Sequence, residues 1–191
     1  MSGLVDGILE QLGPAGVAEI ARGLGVEESA MGGAVAAAIP AIIAGMANNT
    51  SNTEGAESLS NALNDHSPSV FDDLGSLLGA AGAADSDGAK ILGHVLGRRQ
   101  PAVEQNVAQQ SGINIDLIMK LLPILAPLVM GYLSRQKQSR ELSPVGVREV
   151  LKAERRQSEV RQPGLGGLAS ILDADGDGSI VDDIIGGLTG Q

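Results

Sequence analysis

Apolar residues recur every three or four positions along most of this chain, which is the pattern of amphipathic helices. The first such stripe covers residues 3–12 and stops at Gly13 and Pro14, a pair that breaks helices. A second stripe covers residues 15–24 and ends at Gly25, the residue type that most often closes a helix. The pattern therefore predicts two consecutive helices near the start of the chain.

Two later stretches are apolar on nearly every face, so we expect them to be buried helices. They cover residues 30–46, interrupted by Pro40, and residues 116–134. Shorter stretches predict further helices over residues 55–64, 69–78, 90–96, 101–110 and 144–160. The expected fold is all-α, a helical bundle.

Two segments resemble each other, at residues 14–49 and 101–134. Each has a short helix, a glycine turn at Gly25 or Gly112, and then an apolar helix that contains a proline. The separation from glycine to proline differs by four residues, about one helical turn, so the apolar face keeps its phase. We interpret the segments as an internal duplication of one helix–Gly-turn–Pro-kinked-helix unit, with chance resemblance as the alternative.

The composition restricts the possible chemistry. The chain has 191 residues with one Phe, one Tyr, no Trp and no Cys. An aliphatic core suits helix packing better than a β-sandwich, and the lack of cysteine excludes disulfides, zinc–thiolate sites and thiol nucleophiles. A formal net charge of −10 disfavours binding to nucleic-acid backbones. The helices after the two glycine turns carry a single basic residue, Lys120, so a helix-turn-helix DNA reader is a weak alternative and we expect no nucleic-acid partner.

No segment matches a targeting or membrane-spanning sequence. The N-terminus lacks a basic region followed by a sustained apolar run. The apolar stretches 33–47 and 121–133 are shorter than the roughly 20 residues that a spanning helix needs, and both contain proline. We interpret them as buried core helices and expect a cytoplasmic protein with no transmembrane segment.

Charge is unevenly distributed along the chain. Residues 135–161 hold eight basic and four acidic residues, so the rest of the chain carries a formal net charge of −14. Ser143 and Pro144 form a good N-cap and first-turn pair for a helix in this segment. One interpretation is a solvated helix with internal ion pairs; the other is a basic arm that meets the acidic body of a second copy. We expect a helical core domain over residues 1–134 and a basic helical arm or linker over residues 135–163.

The C-terminal segment, residues 164–191, contains the strongest candidate for a metal site. Asp173, Asp175 and Asp177 alternate, glycine stands at the sixth position of the loop, and Ile180 stands at the eighth. This spacing opens a calcium loop of the EF-hand or dockerin kind, because Ca²⁺ takes six to eight oxygen ligands that such a loop brings together.

The candidate metal ligands are Asp173, Asp175, Asp177, Ser179 and Asp183. An EF-hand loop ends with Glu at the twelfth position, where this chain has Ile184, so Asp183 would close a shorter loop. Ca²⁺ is the expected ion and Mg²⁺ the alternative; an Asp/Gly-rich turn that binds nothing is the other interpretation. When filled, the loop would hold two short helices as a hairpin that docks on this chain or on a neighbour.

Two histidines, His66 and His94, are the only conventional acid–base candidates. His94 has apolar neighbours in a predicted helix, so we expect a buried structural histidine. His66 precedes Ser67 and Pro68, and we expect it in a loop or beside a helix cap. Neither a nucleophile elbow nor a phosphate-binding loop accompanies them, so we expect no catalytic residues and no enzyme.

Motifs spread over roughly residues 1–190 resemble one family. They are Leu24-Gly25 before the helix with Ile39-Pro40, and the segments 90–97, 107–112, 121–127 and 172–178. The most specific are Lys-Leu-Leu-Pro at residues 120–123 and Asp-Gly-Asp-Gly at residues 175–178. Together they resemble the YidB-like family of uncharacterised bacterial proteins. The resemblance implies an all-α fold and a bacterial origin. Because the family has no established reaction, it implies no catalytic residues.

These features predict a non-enzymatic structural protein that self-associates into a homo-oligomer, with a calcium-binding C-terminal loop that stabilises a docking tail. A monomeric, calcium-responsive protein-binding module is the alternative. An enzyme of unknown class and a helix-turn-helix DNA binder are less favoured. The expected partner is a second copy of the chain, contacted through the basic arm.

Overall fold

Two long apolar helices form the centre of the molecule, and six further helices surround them. The computed structural model describes residues 3–66 and 68–161, and within these it contains eight α-helices and no strand. The helices are α1 (Leu4–Leu24), α2 (Glu28–Asn49), α3 (Thr53–Asp65), α4 (Leu74–Gly79), α5 (Asp87–Val95), α6 (Gln100–Ser111), α7 (Ile115–Ser139) and α8 (Pro144–Arg161). Short 3₁₀ turns cover Pro68–Asp72 and Gly97–Arg99. The predicted all-α fold is confirmed for the described residues.

The central pair consists of α2 and α7. Helix α2 contacts α1, α5, α6, α7 and α8, while α7 contacts each of α1 to α6. Their buried side chains are Ile, Leu, Val, Ala and Met, and the two aromatic residues, Phe71 and Tyr132, are only partly buried at the edge of the core. The aliphatic core expected from the composition is therefore what holds the bundle together.

Both central helices are long and apolar enough to cross a membrane, judged by length and composition alone. However, 67% of the most apolar window of α2 and 72% of that of α7 are buried against the rest of the described chain. Core helices of this kind pass the same test, so their packing already accounts for their apolar character. The absence of a transmembrane segment stays a prediction.

The prolines do not interrupt the central helices. The interruption expected at Pro40 is wrong, because α2 is one helix of 22 residues that includes Pro40. Helix α7 is likewise one helix of 25 residues that includes Pro123 and Pro127. An interior proline costs about 3 kcal/mol through its missing hydrogen bond and ring clash. Burying an Ile or Leu side chain contributes roughly 1.5–3 kcal/mol. Ile39 and Ile42 beside Pro40 are fully buried, so packing outweighs the local cost.

Helix α1 changes direction at Gly13, where the sequence predicts a break. Gly13 has φ 61° and ψ 177°, a conformation that favours glycine, and α1 resumes directly at Pro14. The predicted end at Gly25 is also confirmed: this residue is left-handed, and the Val26 N–H donates to the Ala21 carbonyl at 2.9 Å. The two predicted helices are thus the two halves of one kinked element.

The helix expected over residues 69–78 is wrong in its form. The chain makes the 3₁₀ turn Pro68–Asp72 and then begins a separate helix, α4. Asp73 separates the two, because its carboxylate accepts a hydrogen bond from the Ser76 N–H at 3.4 Å and so caps the start of α4. The apolar spacing predicts one helix, but the capping residue Asp73 divides the segment into a 3₁₀ turn and a short α-helix.

Helix α8 packs on the core. The Ser143 hydroxyl accepts from the Gly146 N–H at 3.2 Å, which confirms the predicted N-cap. Val147 and Leu151 are fully buried, and α8 contacts α2 and α3. The boundary expected at residue 134 falls inside α7, which continues to Ser139 before the turn into α8.

A buried carboxylate connects α8 to the start of α1. Glu154 is only 6% exposed, and its two carboxylate oxygens accept from the backbone N–H groups of Leu4 at 2.7 Å and Val5 at 3.2 Å. The first N–H groups of a helix have no partner within it, and the helix dipole favours a negative charge there. Glu154 therefore caps the start of α1, although the two are far apart in the sequence.

We predict that Glu154→Gln lowers the free energy of unfolding by roughly 1–3 kcal/mol. The substitution keeps the size of the side chain, but it removes the charge and puts an amide NH₂ where one of the two N–H groups needs an acceptor. Urea denaturation measures the difference. Glu149→Gln is the matched control, because the Glu149 side chain on the same helix is 57% exposed. An equal effect of the two substitutions would contradict a capping role for Glu154.

Candidate functional site

An open groove runs between α3 and α5. It consists of two adjoining cavities of about 600 and 560 Å³. Residues His66, Lys90 and Ile91 line both cavities, so the two form one continuous surface. Titratable side chains from several elements come together in these two cavities.

Capping residues begin both helices that border the groove. The Asn52 side chain accepts from the Gly55 N–H at 2.7 Å and starts α3. The Ser86 hydroxyl accepts from the Ala89 N–H at 3.2 Å and starts α5. Both caps are polar residues placed just before amphipathic stretches, which is the usual signal for a helix start.

A glycine holds α5 close to α7. A Cβ atom at Gly88 would overlap the backbone carbonyl of Pro123. That carbonyl has no helical donor four residues on, because Pro127 lacks an N–H. Gly88 and the prolines of α7 therefore act together: the prolines open the surface of α7, and the glycine lets α5 approach it.

The floor of the groove is apolar. Met46 from α2, Leu59 from α3, Ile91 and Val95 from α5, and Met130 from α7 line the larger cavity. Leu59 and Ile91 are only partly buried, whereas Met46 and Met130 are almost fully buried. The floor thus resembles surfaces that accept an apolar side chain from another molecule.

The rim of the groove is acidic. Four carboxylates line it, from Glu54, Asp65, Asp73 and Asp87, against the single ammonium of Lys90. Lys90 lies 3.7 Å from Asp87 in an exposed pair within α5. Exposed pairs of this kind contribute little and leave most of the negative field in place. The groove therefore favours a cationic ligand.

Both histidines line this groove, but not as the sequence suggests. His94 is exposed, so its expected burial is wrong. Helix α5 turns Leu92 and Val95 toward the core and leaves His94 on the outer face. His66 is the C-cap of α3, and its Nδ1 atom lies 2.8 Å from the Ala62 carbonyl oxygen. Because a carbonyl oxygen can only accept, this contact places a proton on Nδ1.

The predicted metal ligands, Asp173, Asp175, Asp177, Ser179 and Asp183, all lie outside the described residues. Ca²⁺ binding there, or Mg²⁺ binding, stays a prediction. Within residues 3–66 and 68–161, His, Asp and Glu side chains form no group of three or more that could hold a metal ion.

The groove itself is a feature that the sequence reasoning missed. Its signal is nonetheless present in α3, where groove residues recur at helical spacing and are mostly small. They are Gly55, Ser58, Leu59, Ala62 and His66. A stripe of small residues bounded by carboxylates differs from a core face, and it marks a surface over which a groove can form.

We predict that Gly88→Ala destabilises the protein by roughly 1–3 kcal/mol, because the added methyl group meets the backbone of α7 and that backbone cannot move away cheaply. Gly93→Ala is the matched control in the same helix, since no atom lies within 4 Å of its Cβ position. That substitution should stabilise the helix by about 0.5–1 kcal/mol. Thermal unfolding measures both. A stabilising effect of Gly88→Ala would contradict the close contact.

Comparison with known proteins identifies a family. A family model described as a bacterial protein of unknown function, DUF937, matches residues 6–136. The match runs from α1 to near the end of α7 and stops before α8. No curated protein and no solved structure matches the chain. Because the matched residues are well over half of the sequence, the chain belongs to the DUF937 family of bacterial proteins of unknown function.

Proposed function

We propose that this protein is a non-enzymatic structural protein that self-associates into a homo-oligomer. The observation that carries the proposal is the separation of charge over the folded chain. The segment from Arg135 to Arg161 is basic, whereas the rim of the groove between α3 and α5 is acidic. A surface with two complementary regions is suited to binding another copy of itself.

Part of the basic segment is used inside the molecule. The Lys137 ammonium donates to the Ser60 carbonyl at 2.6 Å and to the Asn64 side chain at 2.7 Å. The Arg135 guanidinium donates to the Gln11 side chain at 3.3 Å. In contrast, Lys152 and Arg156 are exposed on α8. These outer cations supply the positive charge for a contact with a second copy.

The calcium loop is the second part of the proposal. Asp173, Asp175, Asp177, Ser179 and Asp183 would bind Ca²⁺, or Mg²⁺ with stricter geometry, and would stabilise a docking tail. The support is the spacing of the aspartates. Carboxylates this close repel one another without a cation, so a bound ion favours one compact arrangement.

Three finer proposals accompany the function. An internal duplication of residues 14–49 and 101–134 is supported by the left-handed Gly25 and Gly112, each of which leads into a long proline-containing helix. The motifs support a place close to the YidB-like proteins. The burial of α2 and α7 supports the absence of a transmembrane segment, and a cytoplasmic location stays part of the proposal.

A monomeric, calcium-responsive protein-binding module is the second candidate. The observation that favours it is the apolar floor of the groove, which the partly buried Leu59 and Ile91 line. An open apolar surface suits a foreign helix as well as one from the same protein. The two candidates differ in whether the purified chain associates alone.

We predict that the purified full chain forms a discrete oligomer at micromolar concentration and dissociates toward its 19.4 kDa monomer as salt is raised. The reason is that salt at about 1 M shortens the screening length to roughly 3 Å and weakens contacts between exposed charges. Light scattering measures the molar mass with calcium and with a chelator. A monomer under every condition would contradict self-association and favour the binding module.

The calcium part has its own control. In the same experiment, Asp173→Asn with Asp175→Asn should weaken association and make the mass insensitive to the chelator, while circular dichroism remains that of a folded helical protein. Asp72→Asn with Asp85→Asn removes equal charge from exposed positions elsewhere. Unchanged, chelator-sensitive association of the first variant would contradict a role for the loop.

A further inference from the structure

The outer face of α8 carries a stripe that the packing of this molecule leaves free. It consists of Val145, Arg148, Lys152, Arg156 and Val160, which recur every three or four residues and so share one side of the helix. Val145 is 51% exposed and Val160 is 81% exposed. With Met119, they are the exposed large apolar residues of the described chain. We call this set the α8 stripe.

The α8 stripe points away from its own core. The opposite side of α8 presents Val147, Leu151 and Glu154, which are buried. These contacts fix the rotation of α8 about its axis. Turning the stripe toward the core would expose Val147 and Leu151 and would remove the Glu154 cap of α1. The stripe is therefore a stable surface feature.

The α8 stripe and the groove are separate surfaces of one chain. No described residue of α8 lines either cavity, and the stripe lies on the side of α8 opposite the buried Val147 and Leu151. A single molecule cannot place its own stripe in its own groove without taking α8 off the core. Contact between the two surfaces requires two molecules.

We propose that the α8 stripe of one copy binds in the groove between α3 and α5 of a second copy. The proposal rests on the self-association proposed above and names its contact surfaces. Lys152 and Arg156 would meet the carboxylates of the rim, and the exposed valines would meet the apolar floor. Arg148 contributes less charge, because it already lies 3.4 Å from Glu149.

The lengths of the two surfaces agree. Glu54 and Asp65 stand eleven positions apart on α3, which places them about 16 Å apart along the helix axis. The cations from Arg148 to Arg156 span eight positions, or about 12 Å. The cationic part of the stripe therefore fits between the acids at the two ends of the groove.

The contact has a consequence for the form of the assembly. Because one copy offers the stripe and the next offers the groove, the interface is head-to-tail. A bound pair leaves one stripe and one groove free for further copies. Such contacts produce a ring when the rotation closes and a filament when it does not.

The test uses two charge-reversed forms of the full chain. The stripe variant carries Lys152→Glu with Arg156→Glu, and the groove variant carries Glu54→Lys with Asp65→Lys. Sedimentation velocity should show each variant alone as a monomer. An equimolar mixture should assemble again, because the intact stripe of the groove variant meets the intact groove of the stripe variant, and the acidic stripe meets the basic groove.

Matched controls separate the docking from general electrostatics. Arg98→Glu with Arg140→Glu makes the same charge change at exposed basic positions off the stripe, and Glu57→Lys reverses an exposed α3 acid outside the groove. Both controls should assemble like the natural chain. Circular dichroism verifies that each variant is folded. If charge reversal unfolds α8, the neutral variant Lys152→Gln with Arg156→Gln replaces the stripe variant, and it should also weaken assembly.

The outcomes distinguish the two levels of proposal. A natural chain that is monomeric in every condition contradicts self-association itself. A natural chain that assembles while the stripe variant assembles equally well overturns only the stripe-in-groove contact. Equal loss of assembly in the Arg98 and Arg140 control also overturns it, since the effect then follows net charge and not position.

Discussion

The packing of α7 against α2 is the contact on which the rest of the structure depends. With one Phe and one Tyr in the whole chain, the core has to be filled by aliphatic side chains, and these two helices supply most of them. Each helix keeps its course through interior prolines because the surrounding side chains are buried. The prolines of α7 in turn leave a carbonyl on which α5 rests through Gly88. The groove follows from this arrangement, since α5 and α3 are both seated on α7.

Much of the fold was predictable because helix periodicity and caps are local signals. The breaks at Gly13 and Gly25, the start of α8 at Ser143, and the buried character of the central helices all follow from neighbouring residues. The continuity of α2 through Pro40 was not predictable in this way, because it depends on side chains that other helices contribute. The capping of α1 by Glu154 was not predictable either, because Leu4 and Val5 are separated from Glu154 by about 150 residues of sequence.

The candidate site was less predictable than the fold. His94 has apolar neighbours in sequence, but the rotation of α5 sets its exposure, and contacts with α2 and α7 determine that rotation. The groove joins residues from α2, α3, α5 and α7, so no single segment contains it. The charge asymmetry of the basic segment was visible from the sequence. Its division into a buried face and the exposed α8 stripe required the folded chain.

Helix α8 adds to a family core. The family match ends at residue 136, and α8 then returns to cap α1 and to pack on α2 and α3. An element beyond the matched region that is held firmly on one face and is basic on the other is suited to making contacts between molecules. In the proposed contact, the family core of one copy provides the groove, and α8 of another copy provides the stripe that binds in it.

Cross-linking of an equal mixture of isotopically light and heavy full chains tests this account most directly. The chain has lysines at positions 90, 120, 137 and 152, of which Lys90 lines the groove and Lys152 lies on the stripe. An amine-reactive reagent should join Lys152 of one isotopic form to Lys90 of the other. Mass spectrometry identifies such mixed-isotope peptides. Mixed-isotope links that join other lysines instead, or links confined to single chains, would contradict the proposed contact.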